Sequence, residues 1–266
     1  MLLIHGLAIW ALLPRFWTPL ALVVLLVLYW LTACIGVTLG YHRLLAHRSF
    51  RVVAWLEPLI TTCGTLSCQH GPIDWAGLHR HHHLHSDDPS DHHNSHLGIW
   101  WSHFGWMLKE VPAKAHIKRL TPDLQGNAYY RWLNRNFLLL QLPLAVLLWW
   151  LGETTGAGGL ALVLWGIPLR LVLVYHCTWL VNSATHRWGY VSHNSHDQSK
   201  NNWWVALLTF GEGWHNNHHA YQSSARMGFR WWELDLTWLH IKLLQRLGLA
   251  SHIHLARPLI KSRQAT

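Results

Sequence analysis

The sequence predicts an all-α integral membrane protein: four transmembrane helices in two hairpins, with a cytoplasmic helical cap that holds a histidine-rich metal site. Three observations lead there. Long apolar runs recur, with 51% of the 266 residues hydrophobic and only 12% charged, about half the roughly 25% charged share of soluble domains. Twenty tryptophans suit a side chain that settles at the headgroup level, its ring buried and its N–H wet. Nine of the 24 histidines form a pattern: His42 and His47 in HRLLAH, His79, His82 and His83 in HRHHH, His186 in NSATH, and His215, His218 and His219 in HNNHH.

A span needs about 20 mostly apolar residues. Residues 18–40 qualify without a charge, and residues 158–181 qualify with one internal arginine, Arg170. Residues 136–151 are slightly short, bounded by Arg135 and Gly152. Residues 2–13 are shorter still and stop at Pro14–Arg15; tilt or local thinning lets such a segment cross. The N-terminus has no basic region before its apolar run and no small-residue cleavage site, so it reads as a retained membrane segment. Residues 1–266 form one domain, with cytoplasmic regions at 41–135 and 182–266. Lysines and arginines concentrate in those two regions, while the loop GETTGAG between the last two spans has none. The positive-inside rule therefore places every histidine cluster in the cytoplasm.

Topology constrains the run at residues 52–68, which carries Glu57, Pro58, Gly64 and several hydroxyls. If it crossed, His42 and His47 would face the opposite side from the other clusters. It is read as re-entrant or interfacial, which irregular backbone tolerates when covered by protein. The four cysteines, Cys34, Cys63, Cys68 and Cys177, form no CxxC pair, which argues against a disulfide framework or cysteine-bound zinc and is compatible with a reducing compartment. A net charge of +9 suits anionic lipid or an acidic partner; no nucleic-acid partner is expected. The basic stretch Lys109, Lys114, Lys118 and Arg119 reads first as a solvated positive-inside loop.

Neutral imidazole is the commonest ligand of iron, copper, nickel and zinc. Nine are too many for one ion, which suggests two. On a helix, positions i, i+3 and i+4 share a face, so HxxHH delivers three imidazoles in one direction. His42 and His47, five apart, lie about 140° apart on an ideal helix. The helix must end or distort between them, or the pair must straddle two ions. His186 follows Asn182 by one turn, placing the amide where it could hold a metal-bound water or act as a weak ligand. The other fifteen histidines, His85, His92, His93, His96, His193 and His196 among them, are read as non-ligands. Nine nitrogens fit neither a four-ligand structural zinc nor a three-ligand catalytic one. The Glu and Glu-x-x-His pattern of carboxylate-bridged di-iron bundles is absent near the clusters. An all-histidine di-iron centre beside a membrane points to oxygen activation on a lipid-soluble substrate, with copper the weaker candidate.

The segments HRLLAH, HRHHH, TWLVNSATH and GEGWHNNHH resemble the histidine boxes of membrane fatty-acid desaturases of the stearoyl, Δ9 type. Box order and spacing match from about residue 18 to about residue 250, and the C-terminal part is most similar to the bacterial and plastid acyl-lipid branch. The resemblance implies two iron ions that use O2 and two external electrons to form a cis double bond. It implies that His42, His47, His79, His82, His83, His186, His215, His218 and His219 are iron ligands, with Asn182 acting through water. Gln69, Trp75, Thr178 and Trp179 match positions around the bent acyl chain; for the two tryptophans, interfacial anchoring is the plainer alternative. The substrate is then a fatty-acyl group on a glycerolipid or on coenzyme A. With no HPGG motif in the chain, electrons come from a separate donor such as ferredoxin or cytochrome b5.

Trp30, Cys34, Thr38 and His42 recur every four residues and lie on one slowly drifting stripe. At about 1.5 Å per residue, Cys34 is about 12 Å and Trp30 about 18 Å from His42. The stripe is thus expected to line the tunnel for the methyl end, with Cys34 and Trp30 closing it. Ordinary helix-packing or lipid-facing roles compete with that reading. The rival functions are a membrane di-iron lipid hydroxylase and, from another class, a non-catalytic metal-binding membrane protein. The second expects polar residues through the bilayer centre, where these spans have only Arg170. A bis-histidine haem carrier needs paired histidines facing each other within the spans, and only His176 sits mid-to-late in one.

Overall fold

The structure, a computed structural model, describes residues 1–109 and 115–256; Lys114 of the basic stretch lies outside the described residues. Helix α1 is Leu2–Ala11, about 15 Å at 1.5 Å per residue. Helix α2 runs Pro19–Ala46; its start is fixed by Pro19 and by the Thr18 hydroxyl, which accepts from the Ala21 amide at 3.0 Å. From Trp30 to Ala46 it adopts the wider π-type winding. Helices α3, Leu56–Thr65, and α4, Pro72–His85, follow, then α5, Ile99–His103, and α6, Ala128–Asn136. The last long elements are α7, Gln141–Thr155, and α8, Gly159–Arg187, which winds π-type around Pro168. Three shorter helices complete the cap: α9, Trp203–Leu208, α10, His215–Ala220, and α11, Leu236–Arg246. Two-residue strands β1, Arg51–Val52, and β2, Ala250–Ser251, pair antiparallel and join the two ends of the cap.

The protein is mostly helical and integral to the membrane. Among the described residues, α2 and α8 are long and apolar enough to cross; α6 and α7 pass that test only together, bent by 70° at their break. The count is two membrane-length helices, or three if the bent pair is one span, against the four expected from sequence. The predicted span at 136–151 begins instead at Gln141, because the chain turns between the two helices, and α1 ends just before the turn containing Pro14. Composition windows register apolarity and not direction, so they do not see the bend.

Helix α3, at ten residues, is too short to traverse a hydrocarbon core of about 30 Å. It lies against α2 through close backbone approach: a Cβ on Gly36 would overlap the backbone of Cys63 and Gly64, and one on Gly64 would lie 2.7 Å from the Tyr41 ring. Arg170 explains its own place in a span. Fully buried, it donates to the Gly166 carbonyl at 2.7 Å, the Leu66 carbonyl at 2.8 Å and the Gln141 side chain at 2.8 Å. The cation thereby satisfies the end of α3 and ties it to α7 and α8. Apolar residues separate into a cap cluster around Leu39, Tyr41, Phe50 and Ile60 and a membrane cluster around Ala11, Leu25, Leu162 and Trp165. The α2 helix contributes to both.

Gly36→Ala is expected to push α3 from α2, because the blocking atoms are backbone and cannot rotate away. Overpacking of this kind costs about 1–3 kcal/mol or more. Thermal unfolding in detergent should show a lowered midpoint, whereas Gly6→Ala, with open space around it, should leave the midpoint near that of the parent.

Candidate metal centre

The π-type winding of α2 resolves the spacing of its two histidines. The His47 amide donates to the His42 carbonyl at 3.0 Å, and i→i+5 bonding brings residues five apart back to nearly the same side. Their Nε2 atoms lie 3.0 Å apart, so the helix distorts and the pair faces one point. Helix α4 is set by Gly71 and Pro72, with Asp74 in its first turn, and α10 follows the turn at Trp214. Neither triplet aims at a single point. His79 and His83 of α4 join His42, His47 and His218; His215 and His219 of α10 join His82 and His186. The helical phase accounts for the split. Residues i and i+4 differ by about 40° around the axis, while i+3 and i+4 differ by about 100°. Each helix therefore gives its i, i+4 pair to one set and its i+3 residue to the other.

In the first set the five Nε2 atoms form a closed ring. The edges are His42–His47 at 3.0 Å, His47–His79 at 2.8 Å, His79–His83 at 3.0 Å, His83–His218 at 2.9 Å and His218–His42 at 3.0 Å. A metal–nitrogen bond of about 2.1 Å places ligands at right angles about 3.0 Å apart, so these edges match one ion. In the second set, one ligand atom each from His82, His186, His215 and His219 lies within 4.8 Å of the others. The Nε2 atoms of His186 and His215 are buried without a hydrogen-bond partner. Burial, reinforced by neighbouring imidazoles, holds His79, His83, His215 and His218 well below the usual imidazole range, which keeps their lone pairs free. Buried, neutral, converging nitrogens fit two cations.

Four carboxylates that sequence reasoning missed support the rings from behind. Glu212 accepts from His42 Nδ1 and Asp197 from His219 Nδ1; Asp91 does so for His82 at 3.0 Å and Asp87 for His186 at 3.1 Å. Each such bond fixes the tautomer that leaves Nε2 free and orients the ring. Burial pushes Asp87, Asp91 and Asp197 up, but hydrogen bonds and charge from the imidazoles outweigh it and hold all three below the usual carboxylate range. At His82 burial lowers the imidazole, and Asp91 more than offsets it. A third group, His82, Asp91 and His93, shares His82 with the second set. Asp91 is already occupied there by His82 and by the amides of Asp87 and His93. Asp197 lies one residue beyond His196 and four beyond His193, two histidines read as bystanders, and no spacing rule pointed to this role.

Two cavity arms meet beside the rings. One is lined by Tyr29, Ala33, Val37, Val174 and Val181 and reaches His42, His79, His82 and His215. The other is lined by Gln69, Met107, Tyr175 and Trp179. Trp75, His79, Thr178 and Asn182 line both, so the two cavities adjoin there. Three of the expected substrate residues form a hydrogen-bonded chain where they adjoin: Trp75 Nε1 donates to Gln69 at 3.3 Å, and Gln69 Nε2 donates to Thr178 at 2.9 Å. Trp75 also stacks on His79 with centroids 5.0 Å apart. Cys68 and His70, flanking Gln69, adopt positive φ of 55° and 71°, an unfavourable conformation that persists where surroundings enforce it.

The expected tunnel stripe is placed differently. Trp30 is half-exposed and donates to His240 at 3.1 Å. Cys34 is buried against Thr237 and His240. Neither lines a cavity arm. Thr38 and His42 of the stripe do line the first arm; with the wider winding, Tyr29, Ala33 and Val37 complete the α2 lining, and Tyr29 is the lining residue of α2 furthest from His42 along the chain. Its hydroxyl donates to the Leu208 carbonyl at 2.6 Å.

Metal analysis of the purified protein is expected to give two ions per chain, one per histidine set. His83→Ala and His215→Ala, which each remove one ligand from a different set, should each lower the content to about one. The centre predicts that combining them removes both ions.

A model of the family described as fatty acid desaturase matches residues 15–253. The chain is 55% identical to the sn-1 stearoyl-lipid 9-desaturase of Synechocystis sp., across 95% of this chain and 77% of that protein. It is 51% identical to the sn-1 stearoyl-lipid 9-desaturase of Anabaena variabilis, across 95% and 91%. With the sn-2 palmitoyl-lipid 9-desaturase of Nostoc sp. it shares 47% identity, across 94% and 86%. The histidine sets, the cavities beside them and these similarities agree: the chain belongs to the fatty acid desaturase family of oxidoreductases.

Proposed function

We propose that this protein introduces a cis double bond at carbon nine of a saturated acyl chain esterified in a glycerolipid, using O2 and external electrons. The observation that carries the reading is a pair of adjoining cavities that share Trp75, His79, Thr178 and Asn182 and are lined by histidines of both sets; we read them as one bent path for the acyl chain. The acyl-lipid 9-desaturases among the relatives support the carrier and the position. The nine histidines named above would hold two irons, which when bound supply the oxidation of two adjacent methylenes. In balance, CH2–CH2, O2, two electrons and two protons give CH=CH and two waters.

The chain's own residues provide position and exclusion of water. Ala33, Val37, Val174 and Val181 form an apolar arm for the methyl half. The Trp75–Gln69–Thr178 chain holds the bend, which presents a kinked acyl chain to the centre and favours the cis product. Trp179 lines the arm toward the carboxyl end. Asn182, facing both arms, is assigned to hold a water beside the second set. The four-span topology is retained as part of this proposal, with α1 crossing through tilt or thinning and the cap on the cytoplasmic side. The electron donor is an acidic carrier of the ferredoxin or cytochrome b5 class, which suits a net charge of +9.

Expression in a host lacking unsaturated fatty acids, followed by lipid-class-resolved analysis, tests the reading. The expected result is a new cis double bond at carbon nine on intact glycerolipid. A bond that arises first on acyl-coenzyme A would overturn the carrier, and hydroxylated product alone would overturn desaturation. Chain length supplies a separate measurement. Tyr29→Ala opens the far end of the apolar arm, so products from longer chains should rise several-fold relative to those of the parent; an unchanged profile removes Tyr29 as the stop.

A further inference from the structure

The two histidine sets differ sharply in what stands behind them. In the second set three of four ligands, His82, His186 and His219, have a carboxylate on Nδ1. In the first set, among the described residues, only His42 of five has one. Moreover, the Nδ1 atoms of His83 and His218 are buried with no partner at all.

The charges differ as well. Glu212, behind His42, also receives Arg43 at 3.1 Å, and Arg43 reaches Asp235 at 3.0 Å. One cation between two carboxylates leaves that group with a single net negative charge. Asp87, Asp91 and Asp197 have no arginine or lysine in ion-pair contact among the described residues. Their other partners are Ser95 and the Gln198 amide for Asp87, backbone amides and the nearby His92 and His93 for Asp91, and Ser195 and Ser199 for Asp197. Three uncompensated carboxylates thus face the second position through its imidazoles. A carboxylate on Nδ1 makes imidazole a stronger donor, and losing such a partner typically lowers metal affinity about 10–100-fold. The first position has one more ligand, but that ligand is neutral and adds no charge.

We infer that the two metal positions are unequal: the site of His82, His186, His215 and His219 fills first and empties last, and Asp87, Asp91 and Asp197 are the positioning residues that make it so. The inference rests on the two-ion reading of the centre. It implies a graded centre, with a weakly held ion in the five-histidine ring and a firmly held one in the four-histidine set.

The test uses the full chain in detergent, loaded with ferrous iron and challenged with a chelator while released and retained iron are counted. Two phases of one equivalent each are expected. His83→Ala, which keeps only the second set complete, should retain one equivalent that leaves at the slow rate; His215→Ala should retain one that leaves at the fast rate. Asp91→Asn and Asp197→Asn should each speed the slow phase about 10–100-fold, whereas Glu212→Gln should change only the fast one. Release of both ions in one phase would overturn the inference and leave the two-ion reading standing. Slow release from His215→Ala, or a slow phase unmoved by both aspartate variants, would also overturn it. A chain that never holds a second ion would fail both readings. If an aspartate variant does not fold, the two histidine variants decide the question without it.

Discussion

Nine imidazole lone pairs drawn from four separate stretches of chain must converge inside a buried volume, and the rest of the molecule is arranged to satisfy that demand. Nitrogens about 3 Å apart with their lone pairs facing each other repel unless cations lie between them. The scaffold therefore has to hold the rings in place before any ion arrives. Arg43 does much of this. It follows His42 in the chain, is fully buried, and reaches Glu212, Asp235 and the Ala225 carbonyl. Those groups belong to the C-terminal part of the cap, which supplies His215, His218 and His219. One guanidinium thus joins the helix carrying two ligands to the segment carrying three. Asp235 extends the link by capping α11, accepting from the Trp238 amide at 2.9 Å.

The membrane imposes a second demand that meets the first at α3. A short helix lying against a span has carbonyls at its end with no water to satisfy them. Arg170 and Gln141 both donate to the Leu66 carbonyl, so a charged residue inside an apolar span serves the helix that does not cross. With that end closed, the loop through Cys68, Gln69 and His70 can hold its unusual backbone. Gln69 is then delivered to Thr178 where the two cavities adjoin. A polar clasp stands at that point, and the histidine sets lie beside it.

The function was strongly legible in the sequence, because ligand chemistry is written in residue type and spacing. HxxHH gives imidazoles at i, i+3 and i+4 whatever the surroundings, and two such triplets with the HxxxxH pair beside apolar runs already suggested two ions. Gln69, Trp75 and Thr178 were legible only through resemblance, since no spacing rule joins residues that far apart. Trp30 and Cys34 were misplaced for a definite reason: the stripe was drawn at 100° per residue, and α2 is wound more loosely from Trp30 onward. The same change of winding brings His42 and His47 together, so one local distortion accounts for both the success and the miss.

By itself, the sequence determined the histidine clusters and the membrane setting, because hydropathy and imidazole chemistry are properties of residues. The sharing of ligands between the two positions, the carboxylates behind them and the bend between α6 and α7 were decided only by the tertiary structure. Those depend on direction: which side of a helix faces a partner, and which acidic residue, such as Asp87 reaching His186 from 99 positions away, is brought within hydrogen-bonding distance by the packing of the cap.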